Sequence, residues 1–323
     1  MKLIFVDDSL PGISRTKFRG KWQYRDASGE LITDVQEIDR LNSIGLPPAY
    51  VDEWYAPAAN AHILATGFDA KGRKQYRYHP EFRAQQEERK FGTCVGFGHR
   101  LPLIRARVDQ DLRRRSLSAD RAIASVVRLL DTGGIRVGNE TYAKQNNSFG
   151  ATTLRMRHVA VKGDKLRLSF KAKSGKQRTM AVSDKGLLRF VKQVQDLPGQ
   201  HLFQFLDDDG SVRPVSSTDV NDYIRDTMGG DYSAKTFRTF VASVLAFEHL
   251  HRVGADVKLR EMLIEVSDRL GNTPAIARKS YVHPDLLAAA TSGQALSSIK
   301  LPRSTRWMTR QERGFLDFLE GRY

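Results

Sequence analysis

The chain has 323 residues, 40% of them apolar and one of them cysteine, and its 52 Lys and Arg outnumber 37 Asp and Glu to leave a net charge of +15. That length is material for two domains with real cores, at ~150 residues each as a soft prior, and a lone Cys94 excludes an internal disulfide. Leu3-Ile4-Phe5-Val6 is too short for a signal-peptide core and no apolar run nears the ~20 residues that span a bilayer, so the expectation is a soluble, cytoplasmic protein with no membrane partner.

The first part reads as short strands and turns. Trp22-Gln23-Tyr24 leads into the turn Asp26-Ala27-Ser28-Gly29, a short helical stretch follows at 35–41, and 61–67 and 74–78 flank a hairpin connection rich in Asp, Gly and charge. A polar helical segment at 81–90 carries the boundary, which gives domains 1–85 and 86–323. The second domain opens with helical patterns at 108–115 and 120–130, the latter with Ser118 as its N-cap. From Thr152 the period changes to two: Leu154, Met156 and His158 alternate with Thr153, Arg155 and Arg157, then Leu166, Leu168 and Phe170 with Arg167, Ser169 and Lys171. With 177–182 as a third strand, these form a small antiparallel sheet. Helical stripes return at Phe237, Val241, Val244 and Leu245, and at Leu259, Leu263, Val266 and Leu270. Gly271 ends one helix, Thr273 and Pro274 open the next, and Pro284 closes that one just after Tyr281. A last amphipathic helix spans about 310–319. The fold class is α+β: a small β-rich N-terminal domain and a larger, mostly α-helical domain with a three-stranded antiparallel sheet.

Charge is spread unevenly along this layout. Residues 1–85 hold twelve basic and eleven acidic side chains, so the remaining 238 carry +14, and between 151 and 180 nine basic residues face only Asp164. A solvated run is the plain reading of one such stretch. On a cytoplasmic chain without an amphipathic anchor, a shaped basic surface points to nucleic acid.

Common cofactor sites are not indicated. Ser174-Gly175-Lys176-Gln177 lacks the upstream glycine and the hydroxyl of a phosphate-binding loop, the histidines have no zinc-ligand spacing, and Asp207-Asp208-Asp209 before Gly210 reads as a solvated turn. Cations remain: Arg136 after a Gly-Gly turn, Lys173 at a hairpin tip, and Arg238 near a helix start. Arginine offers a planar fork to two phosphate oxygens, whereas lysine is a point charge that can release a proton. Enough converging cations stabilise phosphoryl transfer without a metal, and a tyrosine such as Tyr281 becomes a nucleophile once nearby charge favours its phenolate. Taken singly, Tyr281 is a helix-end tyrosine, Lys173 a turn lysine, Arg136 a surface arginine, and Gln75, Tyr76 and Tyr78 alternating strand residues.

The ordered set reads differently. Arg136-Val137-Gly138-Asn139-Glu140-x-Tyr142, Phe170-Lys171-Ala172-Lys173, Lys235-Thr236-Phe237-Arg238-Thr239, and Gly271-Asn272-Thr273-Pro274 through Lys279-Ser280-Tyr281 resemble the type IB DNA topoisomerases, in their compact bacterial and poxvirus-like branch. In the first domain, Gly72-Arg73-Lys74-Gln75-Tyr76-Arg77-Tyr78 resembles that branch's DNA-contacting strand. The resemblance implies relaxation of supercoiled duplex DNA by a monomer, through a 3′-phosphotyrosyl link on Tyr281. Lys173 would act as general acid, and Arg136, Arg238 and Asn272 would hold phosphate oxygens. Lys235 and Tyr142 would contact DNA nearby, with Gln75, Tyr76 and Tyr78 closing a clamp, and neither ATP nor an obligatory metal would be needed. Most of the family has histidine where Asn272 stands. An asparagine amide donates a hydrogen bond but carries no charge, and sequence does not say whether His283 compensates. Two alternatives stay open: a tyrosine recombinase, against which Lys235 counts, and a non-catalytic DNA-binding protein, for which Asn272 counts.

Overall fold

Residues 2–254 and 256–322 are described by the structure, a computed structural model, and they separate into one unit ending at Lys90 and another beginning at Phe91. In the first unit β1 (Ser14–Phe18) and β2 (Lys21–Arg25) pair antiparallel, Phe18 opposite Lys21. Helix α1 (Val35–Ser43) starts where the Asp34 carboxylate accepts the Gln36 N–H. Strands β3 (Val51–Tyr55), β4 (Ile63–Phe68) and β5 (Lys74–Tyr78) form an antiparallel sheet in that order. Ile13, Tyr24, Leu41, Leu46, Tyr55 and Ala65 make its core. Buried Arg15 is tolerated there because it pairs with Glu53 at 2.7 Å, donates to the Leu46 and Pro47 carbonyls and stacks 4.0 Å above Trp22.

Helix α2 (Pro80–Asp111) runs through the division between the units. It corrects the expectation of separate helices at 81–90 and 108–115, since one 32-residue helix takes in the first and the start of the second and ends at Asp111. Of the glycines between them, Gly96 and Gly98 are contact points rather than breaks. A Cβ on Gly98 would lie 2.5 Å from Leu316 and 2.9 Å from Phe240.

The second unit continues with α3 (Ala119–Gly133) and α4 (Glu140–Asn146). Ser118 is the N-cap residue of α3, but its hydroxyl makes no capping bond. Next come β6 (Val159–Lys162), β7 (Lys165–Lys171) and β8 (Gln177–Val182), the expected three-stranded antiparallel sheet. The strand expected from Thr152 begins only at Val159: Ala151–Thr153 and Met156–His158 are single 3₁₀ turns. Their alternating pattern is real, yet the Thr152 N–H is committed to the Val137 carbonyl and the Thr153 hydroxyl to Gly150, which leaves no ladder to join. Helix α5 (Lys185–Val194), the β9 (Gln204–Leu206) and β10 (Val212–Pro214) hairpin with its Asp-rich turn, and α6 (Ser217–Met228) follow.

Helix α7 (Ala234–Val253) packs against α3, α6, α8 (Leu259–Leu270), α10 (Pro284–Ser292) and α11 (Arg310–Leu319). Phe237, Phe240 and Phe247 are buried along it with Phe97 and Phe315, each side chain contributing ~1.5–3 kcal/mol of burial. Between α8 and α10 lies α9 (Pro274–Ser280), and Pro284, expected to close it, also opens α10 at its first turn. Arg105 of α2 joins α3 and α11 through Asp131 at 2.8 Å and Glu312 at 2.6 Å. The architecture is α+β, as the sequence implies.

Candidate active site

Arg238 sits one turn inside α7, only 2% exposed, and donates to the Gly134 carbonyl and, at 3.2 Å, to that of Leu270. Arg178 of β8 donates to the same Leu270 carbonyl at 3.0 Å, to Arg269 at 2.9 Å and to Gly133 at 2.7 Å. Two guanidiniums thus tie together the C-terminal ends of α3 and α8, where helix carbonyls lack intrahelical partners and carry partial negative charge. Burial, then the neighbouring cations Arg238, Arg269 and Arg136, pull the Arg178 pKa down to about 10. Burial likewise lowers that of Arg238, with Tyr281 opposing and Arg136 adding to it.

Tyr281 ends α9. The Thr273 hydroxyl caps the start of that helix by accepting the Ile276 N–H, and Pro274 fills its first turn. The guanidinium carbon of Arg238 lies 4.9 Å from the centroid of the Tyr281 ring. Burial pushes the phenol pKa up, but Arg238, Arg136 and Lys235 outweigh it and hold the phenol below its ordinary value. Fully buried Ser243 of α7 fixes the backbone here: its hydroxyl reaches the Tyr281 carbonyl at 3.2 Å and accepts the His283 N–H at 3.0 Å.

A cleft of about 300 Å³ opens beside the phenol, lined by Arg136, Tyr142, Lys173, Lys235, Arg238 and Tyr281 among others. Arg136 enters from the connection between α3 and α4, which is held against residues 150–152 by bonds from Ala151 N–H to the Arg136 carbonyl and from Thr152 N–H to that of Val137. Gly150 permits this approach, since a Cβ there would lie 2.7 Å from the Arg136 carbonyl oxygen. Lys173 occupies the β7–β8 turn beside Ser174, whose φ is +65°. The Tyr142 N–H is capped by Asn139 at 2.9 Å, and Lys235 is exposed on the first turn of α7.

The other sequence candidates lie elsewhere. Asn272, 8% exposed, does not line the cleft. Its carbonyl accepts the Lys176 ammonium at 3.0 Å, while both polar atoms of its side-chain amide are buried with no partner among the described residues. His283 packs its ring against Phe91 and Phe315 and accepts the Asp285 N–H at the start of α10; it does not line the cleft either. Gln75, Tyr76 and Tyr78 belong to β5 in the first unit. Tyr76 and Tyr78 stack with centroids 5.7 Å apart, whereas the intervening Gln75 donates to Asp69 at 3.0 Å. Sequence reading missed Arg178 and Ser243. Both carried a signal, a polar residue in an apolar register: Arg178 in phase with Met180 and Val182, Ser243 between Phe240 and Phe247.

A phenol with a lowered pKa among several cations suits an anionic ligand and nucleophilic attack on it. Among the described residues no group of three or more His, Cys, Asp or Glu is placed to hold a metal, and no helix is long and apolar enough to cross a membrane. The family described as eukaryotic DNA topoisomerase I, catalytic core, matches residues 79–284, and that described as bacterial DNA topoisomerase IB, N-terminal domain, matches residues 21–69. The DNA topoisomerase 1B of Acanthamoeba polyphaga mimivirus is 31% identical over 84% of this chain and 85% of its own length. The DNA topoisomerase I of Monkeypox virus is 23% identical over 71% of this chain and 73% of its own. Among solved structures, the XerH site-specific recombinase in a post-cleavage complex with palindromic difH substrate aligns at a TM-score of 0.40 and 17% identity, over 59% of this chain and 50% of that one.

Proposed function

The chain belongs to the type IB DNA topoisomerases, and from that membership we propose that it relaxes supercoiled duplex DNA by transiently cutting and resealing one strand. The Tyr281 phenolate attacks the scissile phosphorus, forms a 3′-phosphotyrosyl ester and displaces the 5′ oxygen, which Lys173 protonates. Arg136 and Arg238 meet the nonbridging oxygens, where charge gathers in the transition state. Asn272, whose amide is buried outside the cleft, takes a phosphate-binding role that requires its turn to open on DNA binding, and Lys235 and Tyr142 hold the adjoining DNA. Residues 1–85 serve as a DNA clamp through Gln75, Tyr76 and Tyr78, and residues 86–323 as the catalytic domain. The ester conserves the bond energy, so strand rotation and reversal need neither ATP nor an obligatory metal. The enzyme works as a monomer, in the cytoplasm at the nucleoid.

The cleft supports this reading most: four cations and two tyrosines from separate parts of the chain line one volume of about 300 Å³, and three of those cations, Arg238, Arg136 and Lys235, overcome burial in setting the phenol. The test incubates negatively supercoiled plasmid with the protein in EDTA without ATP, stops with detergent, and scores relaxation and covalent adducts for the parent and for Tyr281→Phe. Both activities in the parent and neither in the variant are expected. DNA binding with neither activity in the parent overturns the enzyme reading, and recombinant products on paired sites overturn it in favour of strand exchange.

A further inference from the structure

We propose that the β1–β2 hairpin is a second DNA-contacting surface, gripping the duplex backbone through Lys17, Arg19 and Lys21 with Phe18 as an apolar contact among them. The inference rests on the duplex-DNA reading above and adds to it a surface separate from β5.

Residues 14–25 hold five cations and no acid, although residues 1–85 as a whole are nearly neutral. Two of the five are engaged: Arg15 with Glu53 at 2.7 Å, and Arg25 with the Gly29 carbonyl at 2.9 Å. Lys17, Arg19 and Lys21 are exposed and form no ion pair with any described residue; Lys17 lies over the Trp22 ring and Arg19 over that of Phe18. Phe18, 53% exposed, stands opposite Lys21 in the strand register, with the Arg19 guanidinium carbon 5.2 Å from its ring centroid. The register puts Phe18 and Lys21 on one face and Lys17 with Trp22 on the other, with Arg19 at the turn over the Phe18 ring, so cations lie on both faces and at the tip of the hairpin.

The turn adds an independent observation. Only Arg19 and Gly20 join the strands, with φ of +47° and +82°. At the first of these positions Asn, Asp or Gly is the usual residue, because a larger side chain is strained there. Arginine in that place sets a guanidinium at the tip against the local conformational preference. Solvated lysines alone are ordinary, but three cations without ion pairs on a hairpin whose strained tip also carries an exposed aromatic match a nucleic-acid backbone, with Lys and Arg on phosphates and an apolar face against the sugars.

The test measures fluorescence anisotropy of a labelled duplex of about 30 base pairs, in the Tyr281→Phe background that forms no adduct, from about 50 to 200 mM NaCl. Each lost phosphate contact lowers the magnitude of the slope of log affinity against log salt by about 0.9. Lys17→Ala/Arg19→Ala/Lys21→Ala is expected to lower it by about 2 to 3, and Arg19→Gly by about 1. Arg19→Gly also relieves the turn, so it folds at least as stably as the parent and keeps the test decisive if the triple variant unfolds. Unchanged slopes overturn the hairpin contact alone and leave the topoisomerase reading standing. A parent protein that binds no duplex overturns both.

Discussion

The Arg238 guanidinium faces the Tyr281 ring from 4.9 Å while it donates to the carbonyls of Gly134 and Leu270. One side chain therefore couples the charge state of the proposed nucleophile to the two helix ends that frame it. Removing it withdraws the cation that lowers the phenol most and leaves two carbonyls without that donor.

Arg238→Ala is accordingly expected to slow DNA cleavage by about 10²–10³-fold, the range seen when a fixed donor to developing charge is lost. Lys235→Ala gives the gentler test. With one cation fewer the Tyr281 pKa rises, so the ascending limb of the cleavage rate moves to higher pH. Single-turnover cleavage of a labelled duplex, followed from neutral to alkaline pH, measures this. A limb that stays put, or moves toward acid, would show that Tyr281 ionisation does not govern the rate.

Asn272→Ala separates stability from catalysis. Both amide atoms are buried with no partner among the described residues, and each such atom costs ~1–3 kcal/mol when it lacks a hydrogen bond. Truncation should leave the fold as stable or more stable by about 1 kcal/mol, and cleavage slower by about tenfold or more if the amide serves a phosphate. Thermal unfolding and single-turnover cleavage read the two effects. A less stable variant that cleaves normally would mark the amide as purely structural.

Ser243→Ala removes the hydroxyl that reaches the Tyr281 carbonyl and accepts the His283 N–H. The expected loss is ~1–2 kcal/mol of stability and about tenfold in cleavage rate, through misplacement of the phenol. Duplex affinity should be unchanged, because the serine is buried behind the tyrosine backbone. A parallel fall in affinity and rate would point instead to general loosening of the unit.

His158 supplies a pH dependence outside the cleft. Its Nδ1 accepts the Arg155 N–H at 3.0 Å and its ring packs 4.5 Å from that of Phe149. Burial, then Arg157 and Arg155, lower its pKa to about 4, against ~6.5 in an unfolded chain. Between those values the unfolded state binds the extra proton, so stability is complete above ~6.5 and falls as the pH drops toward about 4. Thermal midpoints across that interval should decline less steeply in His158→Gln. Parallel curves for variant and parent would assign the acid sensitivity to other groups.

The legible parts of the fold were those with a period of their own. The stripe of α8, the Gly271-to-Pro274 punctuation and the β7–β8 pairing are local patterns, and the structure has each of them. Alternation misled at 154–158, because the Leu154 and His158 N–H groups bond back three residues, that of Arg155 goes to the His158 ring and that of Met156 to the Gln200 carbonyl, so these residues alternate without joining a sheet. The cleft-lining side chains could be named from motifs. The burial of Asn272 and the turning of His283 into an aromatic cluster could not, since both depend on packing between elements far apart in sequence. Arg178 shows the same limit: its acceptors, Gly133, Arg269 and Leu270, lie 45 to 92 residues away.

Several cations packed inside the fold, Arg15, Arg105 and Arg155 among them, pair with carboxylates that acid can protonate. Protonating Glu312 would weaken its link to Arg105 and so the seam between α2 and α11. Arg178 and Arg238 are held by the carbonyl oxygens of Gly133, Gly134, Arg269 and Leu270, which have no proton to gain. An arriving phosphate therefore has no carboxylate to displace from either guanidinium. The frame around Tyr281 keeps its anchorage even in acid strong enough to protonate Glu312, whose carboxyl Arg105 holds below its ordinary range against the effect of burial.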